Sequence, residues 1–456
     1  MQTRRPEAPQ TLSGVSVLVA GAGLAGLAAA RDLGACGATV TVVEGRDRVG
    51  GRVWTVRDGF TAGQHAEAGA DLIDADQGEI HRLSTELGLK LVPILKGGFG
   101  FVHADARGRA RVASRGVARG WIRLEQHLAD LIARYKLSEH RWDSPIAVDL
   151  SKRSVAEWLD SVGADAELRA TALGLRGFFL ADPDELSLLA LVDHFAADEA
   201  PAGGRLFRID GGNDQLAERL AAPLGEHLLL STELVAVSHR GRGVRASVKT
   251  GRQVSHLQAD YLVFALPAIV LRRLPITPAL PARQHDAFVA LKYGRATRTL
   301  LQFSTRFWKG QGRSRAYGSA LPWGAVWDGN EEQTGKPGIL TMLAGGDASE
   351  SAAELGTRDG AAALAGDLAW LGATKASVVA GRQITWETDP WARGGYAFFD
   401  PAFDPALRPL LSQPCGPLFF AGEHTSLRWQ GYMNGALESG RRAAAEVEAT
   451  HRLRGT

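Results

Sequence analysis

The sequence predicts an α/β fold in which a discontinuous, dinucleotide-binding β-α-β domain is interleaved with a second, α+β domain. Three observations carry this expectation. An apolar strand pattern at 15–20 runs through the glycines Gly21, Gly23 and Gly26 into a helical pattern at 24–33, and a second strand pattern follows at 39–43. A series of short β patterns separated by turn residues occupies 228–265. The chain closes much as it opens, with a strand pattern at 417–421, a glycine-containing turn and a helical pattern at 432–448.

Each element has a local cause. Residues 15–20 and 39–43 are apolar or β-branched, 24–33 carries apolar residues at helical spacing, and together they make a unit of about 30 residues, the minimal dinucleotide fold. Residues 80–87 read as a short amphipathic helix. From 99 to 200 the texture is mainly helical, with patterns at 122–135, 155–162 and 186–195. Strand-and-turn returns at 206–213, followed by a helix at 215–222. The β patterns at 228–230, 234–239, 244–250, 253–258 and 261–265 are punctuated by Arg240-Gly241 and Gly251 and stopped by Pro267. From 269 to 381 helices and strands mix, with 297–303 the clearest strand. These changes of texture place the first domain at 12–78, 205–280 and 392–450, and the second at 79–204 and 281–391.

Composition narrows the function. A chain of 456 residues accommodates two or three lobes of ~150 residues each. Its 45% hydrophobic and 22% charged residues are ordinary for a packed protein, and a net charge of +2 offers no footprint for nucleic acid or anionic lipid. Two cysteines, Cys36 and Cys415, cannot make a disulfide framework or a four-ligand zinc site, which fits a reducing, cytoplasmic compartment. Arg4-Arg5 ahead of the apolar run 15–30 superficially suggests export, but Gly21, Gly23 and Gly26 break the run and favour strand–turn–helix. No other stretch approaches the ~20 apolar residues of a membrane span.

The chemistry-bearing motifs sit at the turns. In Gly21-Ala22-Gly23-Leu24-Ala25-Gly26 the first glycine permits the tight turn, the second lets backbone approach a pyrophosphate, and the third lets helix and strand pack closely. The helix start then supplies N–H donors and partial positive charge. Glu44 lies about 20 residues on, where a carboxylate accepts from an adenosine ribose. The following run, Gly45-Arg46-Asp47-Arg48-Val49-Gly50-Gly51-Arg52, brackets a Gly-Gly turn with arginines suited to clamping a diphosphate. A solvated charge run is the competing reading, but it leaves the glycine pair unexplained.

Residues 44–52 resemble the second fingerprint of the flavin-containing amine oxidases, the monoamine and polyamine oxidase group. Phe419-Phe420-Ala421-Gly422-Glu423-His424-Thr425 with Trp429-Gln430-Gly431-Tyr432-Met433-Asn434-Gly435-Ala436 resemble that family's closing signature, and Trp386, Trp391 and Gly394-Gly395-Tyr396 resemble its penultimate block. The resemblance runs from about residue 15 to 446 and covers the substrate lobe only in outline. It implies a Rossmann-like FAD-binding domain of the glutathione-reductase type beside a substrate-binding domain. By that likeness Glu44 would hold the adenosine ribose, and Arg46 and Arg52 would sit near the pyrophosphate, above the Gly50-Gly51 turn. The backbone of Gly69-Ala70-Asp71-Leu72 would lie along the flavin, and that of Val235 would meet adenine. Gly422 and Glu423 would contact the ribityl chain or diphosphate. Met433 would direct its N–H to the pyrimidine edge, where a helix start stabilises negative charge.

Tyr396 and Tyr432 match the two aromatic walls that guide an amine to the flavin; core packing is the alternative for either. Trp386 and Trp429 would line the same region. Three departures matter. The family's occasional flavin-linking cysteine is Gly395 here, so FAD should be held noncovalently. The usual flavin-facing lysine corresponds to Arg298, whose fixed fork and permanent charge differ from an ammonium and leave reaction with oxygen less secure. No arginine clearly matches a carboxylate clamp, although Arg176 and Arg205 are candidates. His65 near the flavin segment reads as a structural histidine before a base.

The implied reaction is oxidation of an amine C–N bond by hydride transfer to flavin N5, giving an imine and, with oxygen, hydrogen peroxide. Segments 97–102, 176–180 and 317–327 are rich in Phe, Trp, Tyr or Gly and favour an aromatic or bulky apolar amine. The alternatives are a dehydrogenase, a desaturase or isomerase on an apolar substrate, an L-amino-acid oxidase, and a flavin-binding protein without turnover. The expected partners are a small-molecule amine and oxygen, with a homodimer left open.

Overall fold

The computed structural model describes residues 10–104, 109–112, 117–197, 205–241 and 243–455. Arg4-Arg5 and the domain boundary drawn at residue 204 lie outside them. Among the described residues a five-stranded parallel sheet has the order Leu228–Leu229, Thr39–Val43, Ser16–Ala20, Tyr261–Phe264, Leu418–Phe420. Val19 pairs with Val42 on one side and Val263 on the other. These strands are apolar along most of their length because helices and loops cover both faces. Strand order reverses at Ser16–Ala20. The carboxyl ends on either side of that point open a crevice, where open α/β sheets take their ligands.

The helix Leu24–Ala35 lies across this sheet against the long closing helix Met433–Gly455. Small residues set the distance: a Cβ on Gly440 would stand 2.2 Å from Ala25 O and 2.9 Å from Ala28 Cβ. The helices Leu24–Ala35 and Met433–Gly455 are thereby packed into one core.

The first and last of the β patterns in 228–265 thus join the parallel sheet, and the middle three form a smaller sheet with Ile276–Thr277, in the order Gln253–Ala259, Gly243–Thr250, Thr232–Arg240, Ile276–Thr277. A register shift between Leu234 and Ala236 leaves Val235 without a partner across that ladder. A seven-stranded sheet, ordered Val378–Thr385, Ala296–Phe303, Gly338–Gly345, Ala325–Asp328, Ala316–Ser319, Phe99–Ala104, Ala110–Val112, supports the opposite side of the crevice. Ala296–Phe303 and Gly338–Gly345 are buried along their whole length.

The described residues of 99–197 are mainly helical, as expected, apart from their start. They open with the strands Phe99–Ala104 and Ala110–Val112, and the first of these pairs in parallel with Ala316–Ser319, more than 200 residues away. Partners so distant are invisible to a local pattern. Helices follow from Val117–Leu137 to Leu188–Ala197, with Ser154 and Glu157 forming a capping box at the start of Val155–Ser161. The closing helix also continues to Gly455, past the expected end at 448.

Replacing Gly440 by alanine tests the helix crossing. Intrinsic propensity favours alanine by about 1 kcal/mol, but the added methyl must displace the backbone carbonyl of Ala25. G440A should therefore lose about 1–3 kcal/mol net, as overpacked sites do, read as a lower denaturation midpoint.

Candidate active site

A cavity of about 1890 Å³ begins at the glycine turn and extends between the two large sheets. Gly21 sits at φ +101°, and a Cβ there would approach Ala265 O to 2.7 Å. Gly23 has nothing within 4 Å of the place a Cβ would occupy. It is the N-cap of Leu24–Ala35, where no side chain caps the first amides and the first turn holds no acid. Backbone donors and the positive helix end thus border an open space of the kind a phosphate fills. Gly26 does not line the cavity; a Cβ on it would fall 1.9 Å from Gly21 O, in keeping with a packing role.

Glu44 is buried, and its carboxylate accepts from Ala22 N at 2.8 Å and Arg46 N at 3.0 Å. It ties the glycine turn to the arginine-bearing turn and still has lone pairs for a ribose. Gly50 N donates to Ala22 O at 2.9 Å, which seats the Gly50-Gly51 turn against Gly23. Arg46 pairs with Asp389 at 2.6 Å. Val235 lines the same cavity at its bulge, so its backbone groups are not spent on the neighbouring strand Gly243–Thr250.

Glu423 is the junction of the site. Its carboxylate accepts from Arg52 Nη1 at 3.1 Å, Ala397 N at 3.3 Å and Gly431 N at 2.9 Å. Arg52 also donates to Gly395 O at 2.7 Å. Three stretches of chain meet on these two side chains. Gly69 passes so close to Arg52 that a Cβ would collide with its carbonyl oxygen, and Ala70 N donates to that oxygen at 3.0 Å; Gly69, Ala70, Asp71 and Leu72 all face the cavity. Met433 lines it from the first position of the closing helix, and Gly422 from the end of the last parallel strand. At Gly395 no thiol is available, and a Cβ would meet Leu180 Cδ1 at 2.3 Å.

Tyr396, Tyr432, Trp386 and Arg298 line the cavity beyond this junction. Tyr396 donates its hydroxyl to Phe178 O and packs its ring on Gly431, one residue before Tyr432. Burial pushes the Tyr396 phenol up, so it stays protonated. Tyr432 meets the Trp429 ring edge-on at 5.6 Å and the Phe178 ring at 6.4 Å. Trp386 donates to Ala68 O at 3.1 Å. Arg298 is buried on the strand Ala296–Phe303, donates to Glu67 O at 3.1 Å, lies 3.8 Å from Asp71 Oδ2 and stacks 5.0 Å from the Trp327 ring. Asp71 is shared: it pairs with buried Arg208 and accepts from Trp327 Nε1 at 2.6 Å, while Arg208 reaches Glu332 at 2.9 Å.

The candidate carboxylate clamps do not reach the cavity wall. Arg176 is buried against Asp182 at 3.5 Å and Ala320 O at 3.0 Å, and Arg205 is exposed. His65 is also absent from the lining; its backbone exchanges hydrogen bonds with Gln333. Sequence reasoning missed Asp193, whose carboxyl faces the cavity, accepts from Tyr135 Oη at 2.7 Å and has its pKa pushed up by burial. A lone acid inside the apolar helix Leu188–Ala197 was the available signal. It also missed Arg208, although period-two alternation in Leu206–Ile209 turns it to the same side as buried Leu206.

Glu67 makes the site's electrostatics testable. Burial first, then the nearby Asp71 charge, raise its carboxyl from 4.5 to about 8. Between those values the folded protein keeps a proton that the unfolded chain has released. The stability from this group is therefore complete below the lower value and is lost as pH rises through the upper one. Denaturation midpoints of the wild type should fall between about pH 5 and pH 8.5 more steeply than those of E67Q, which cannot ionise.

Comparison with known proteins agrees with this geometry. A family model described as flavin containing amine oxidoreductase matches residues 24–448. AofH of Mycobacterium tuberculosis, assigned as a flavin-containing monoamine oxidase, is 31% identical over 463 residues, covering 95% of this chain and 97% of its own. Flavin-containing amine oxidase A of Sus scrofa is 26% identical over 459 residues, covering 95% and 85%. The structure of cyclohexylamine oxidase from Brevibacterium oxydans superposes with a TM-score of 0.85 at 26% identity, over 96% of this chain and 99% of that one. The Rossmann-like FAD-binding domain and substrate domain expected from the sequence are those of this group, and FAD is held noncovalently. The chain is an enzyme and belongs to the flavin-containing amine oxidoreductase family.

Proposed function

We propose that this enzyme oxidises an aromatic or bulky apolar amine at its C–N bond, with Tyr396 and Tyr432 as the walls that present the substrate. The observation that carries the reading is the position of both tyrosines. They line the cavity that starts at the glycine turn, next to the Glu423 junction, with Phe101, Trp121, Phe178 and Phe179 farther along its wall. When bound, FAD supplies the acceptor for the α-hydrogen and its electron pair, and oxygen then takes two electrons and two protons to become peroxide.

The protein's own contribution is orientation, charge and exclusion of water. The two ring faces flank the neutral amine, with its N–H groups toward their π density, and leave its α-carbon directed at the ring system. Arg298 is a buried cation in the same wall, so a second positive charge beside it is disfavoured and the neutral amine is the form accepted. Loss of the α-hydrogen from a neutral amine requires no side-chain base; the imine product hydrolyses after release. The start of Met433–Gly455 offers donors to negative charge at the pyrimidine edge. Gly21, Gly23, Leu24, Ala25, Glu44, Arg46, Gly50, Gly51, Arg52, Val235 and Gly422 would hold the adenosine and diphosphate end, and the segments 12–78, 205–280 and 392–450 would form the cofactor domain.

Arg298 also favours a second reading, a dehydrogenase that passes electrons to an acceptor other than oxygen. Its guanidinium is engaged by Glu67 O and Trp327, which restricts it as a donor toward oxygen. Arg176 and Arg205, the candidate clamps of an amino-acid oxidase, are not among the residues that line the cavity. No helix among the described residues is long and apolar enough to cross a membrane; with both cysteines free we place the enzyme in the cytoplasm.

Anaerobic addition of arylalkyl amines should bleach the flavin, and admission of air should yield peroxide for an oxidase but not for a dehydrogenase. Replacing either wall by leucine should lower kcat/KM by about tenfold, about 1.4 kcal/mol and the scale of one lost aromatic contact, with flavin content unchanged. Tyr396→Phe, which keeps the ring, should have a small effect. If no amine bleaches a fully loaded flavin, the proposal is lost.

A further inference from the structure

Arg408 has no part in the chemistry derived above, yet it is a buried guanidinium in the cavity wall, 3% exposed, on the short helix Pro405–Leu411. It packs against two rings that meet each other edge-on, 4.0 Å from Trp142 and 4.5 Å from Phe399. Its Nη1 donates to Gln430 Oε1 at 2.7 Å, and its Nη2 donates to Ser426 O at 3.1 Å and Leu427 O at 3.2 Å. Gln430 passes the connection on, donating from Nε2 to Ala397 O at 2.9 Å. Ala397 follows Tyr396 in the chain, and Gln430 precedes Tyr432 by two residues.

We propose that Arg408, acting through Gln430, is a positioning residue that holds Tyr396 and Tyr432 at their working separation. The inference rests on the reading that those tyrosines are the substrate walls. Burying a guanidinium costs several kcal/mol, and here the charge is met by carbonyls, an amide oxygen and ring faces rather than by a touching carboxylate. Asp193, held by Tyr135, acts on it only through space. Core packing alone could be served by an apolar side chain at no such cost. A planar fork is what the site requires, because three acceptors on the loop 426–430 must be reached from one point while the guanidinium stays against two rings. An ammonium cannot span them. Glu423 fixes the same two segments by their backbones, at Ala397 N and Gly431 N. Arg408 and Gln430 therefore add a second tie, and the loop cannot pivot about the first. The orientation of Tyr432 relative to Tyr396 follows.

The test uses the FAD-loaded enzyme and the variants R408K, Q430L and their combination. Tyrosines close to an isoalloxazine ring quench its fluorescence by electron transfer, steeply with distance, so the flavin fluorescence lifetime reports the walls without any substrate. The expected result is a lengthened lifetime in R408K and Q430L, absent when both tyrosines are already phenylalanine. A loss of about tenfold in the rate of amine-dependent flavin reduction should accompany it, with the double variant no worse than the poorer single one, as members of one network behave. Q430L keeps the two carbonyl bonds of Arg408, so it remains informative should R408K fold poorly. Lifetimes and reduction rates within about twofold of the wild type in both variants, whatever their denaturation midpoints, overturn the proposal; coupling energies of real networks exceed that. If no amine reduces even the wild-type flavin, the functional reading fails, while the lifetimes still decide the role of Arg408.

Discussion

The site depends on one buried carboxylate. Glu423 gathers Arg52 from the start of the chain, Ala397 from the penultimate block and Gly431 from the closing turn. Each partner is a donor, and each lies on a segment that could otherwise move independently. A carboxylate is suited to this because its two oxygens can accept several hydrogen bonds at once and draw on the guanidinium charge as well. Removing one member of such a buried pair typically costs about 3–5 kcal/mol, a large share of the 5–15 kcal/mol by which proteins of ordinary stability hold together. The proposed cofactor cradle and substrate walls are therefore joined by the same interaction. Neither can shift without disturbing the other.

Around this junction the protein manages an unusual density of buried charge. Arg208 and Arg298 share Asp71, Glu332 completes the set, and Glu67 is held neutral up to about pH 8. A second carboxylate at Asp71's elbow would otherwise leave the cluster with excess negative charge, and protonating Glu67 is the cheaper solution in a medium that solvates ions poorly. One consequence is rigidity. Arg298 is anchored at its backbone acceptor and against Trp327, so it presents a fixed positive field to the cavity instead of a mobile proton donor. In the proposed reaction that field would select the neutral form of an amine, and the aromatic walls its shape. His424, driven down to about 4 by burial, likewise stays neutral and adds no further cation.

Glycine supplies the complementary property, closeness. At Gly23 the missing side chain leaves space beside helix amides for an anion; at Gly440 it lets the last helix lie against the first. The first bears on binding and the second on architecture, yet both work on the same corner of the molecule, where the two chain ends meet. A fold that builds its cofactor site from both termini needs that corner to be tight.

Much of this was legible in the chain itself. Strand–turn–helix at 15–33, the acid at 44, the Gly-Gly turn and the closing signature all depend on local spacing, and local spacing is what a sequence displays. The same holds for the absence of a thiol at Gly395, since a residue's identity needs no partner. Tertiary structure alone decided the rest. The strand Phe99–Ala104 exists because Ala316–Ser319 lies beside it. Glu423 became a junction and Asp71 a shared counter-ion only when residues hundreds of positions apart came within hydrogen-bond reach. Hydrogen bonds and ion pairs act over a few ångströms, and which groups come that close is a property of the folded chain, not of the order of its residues.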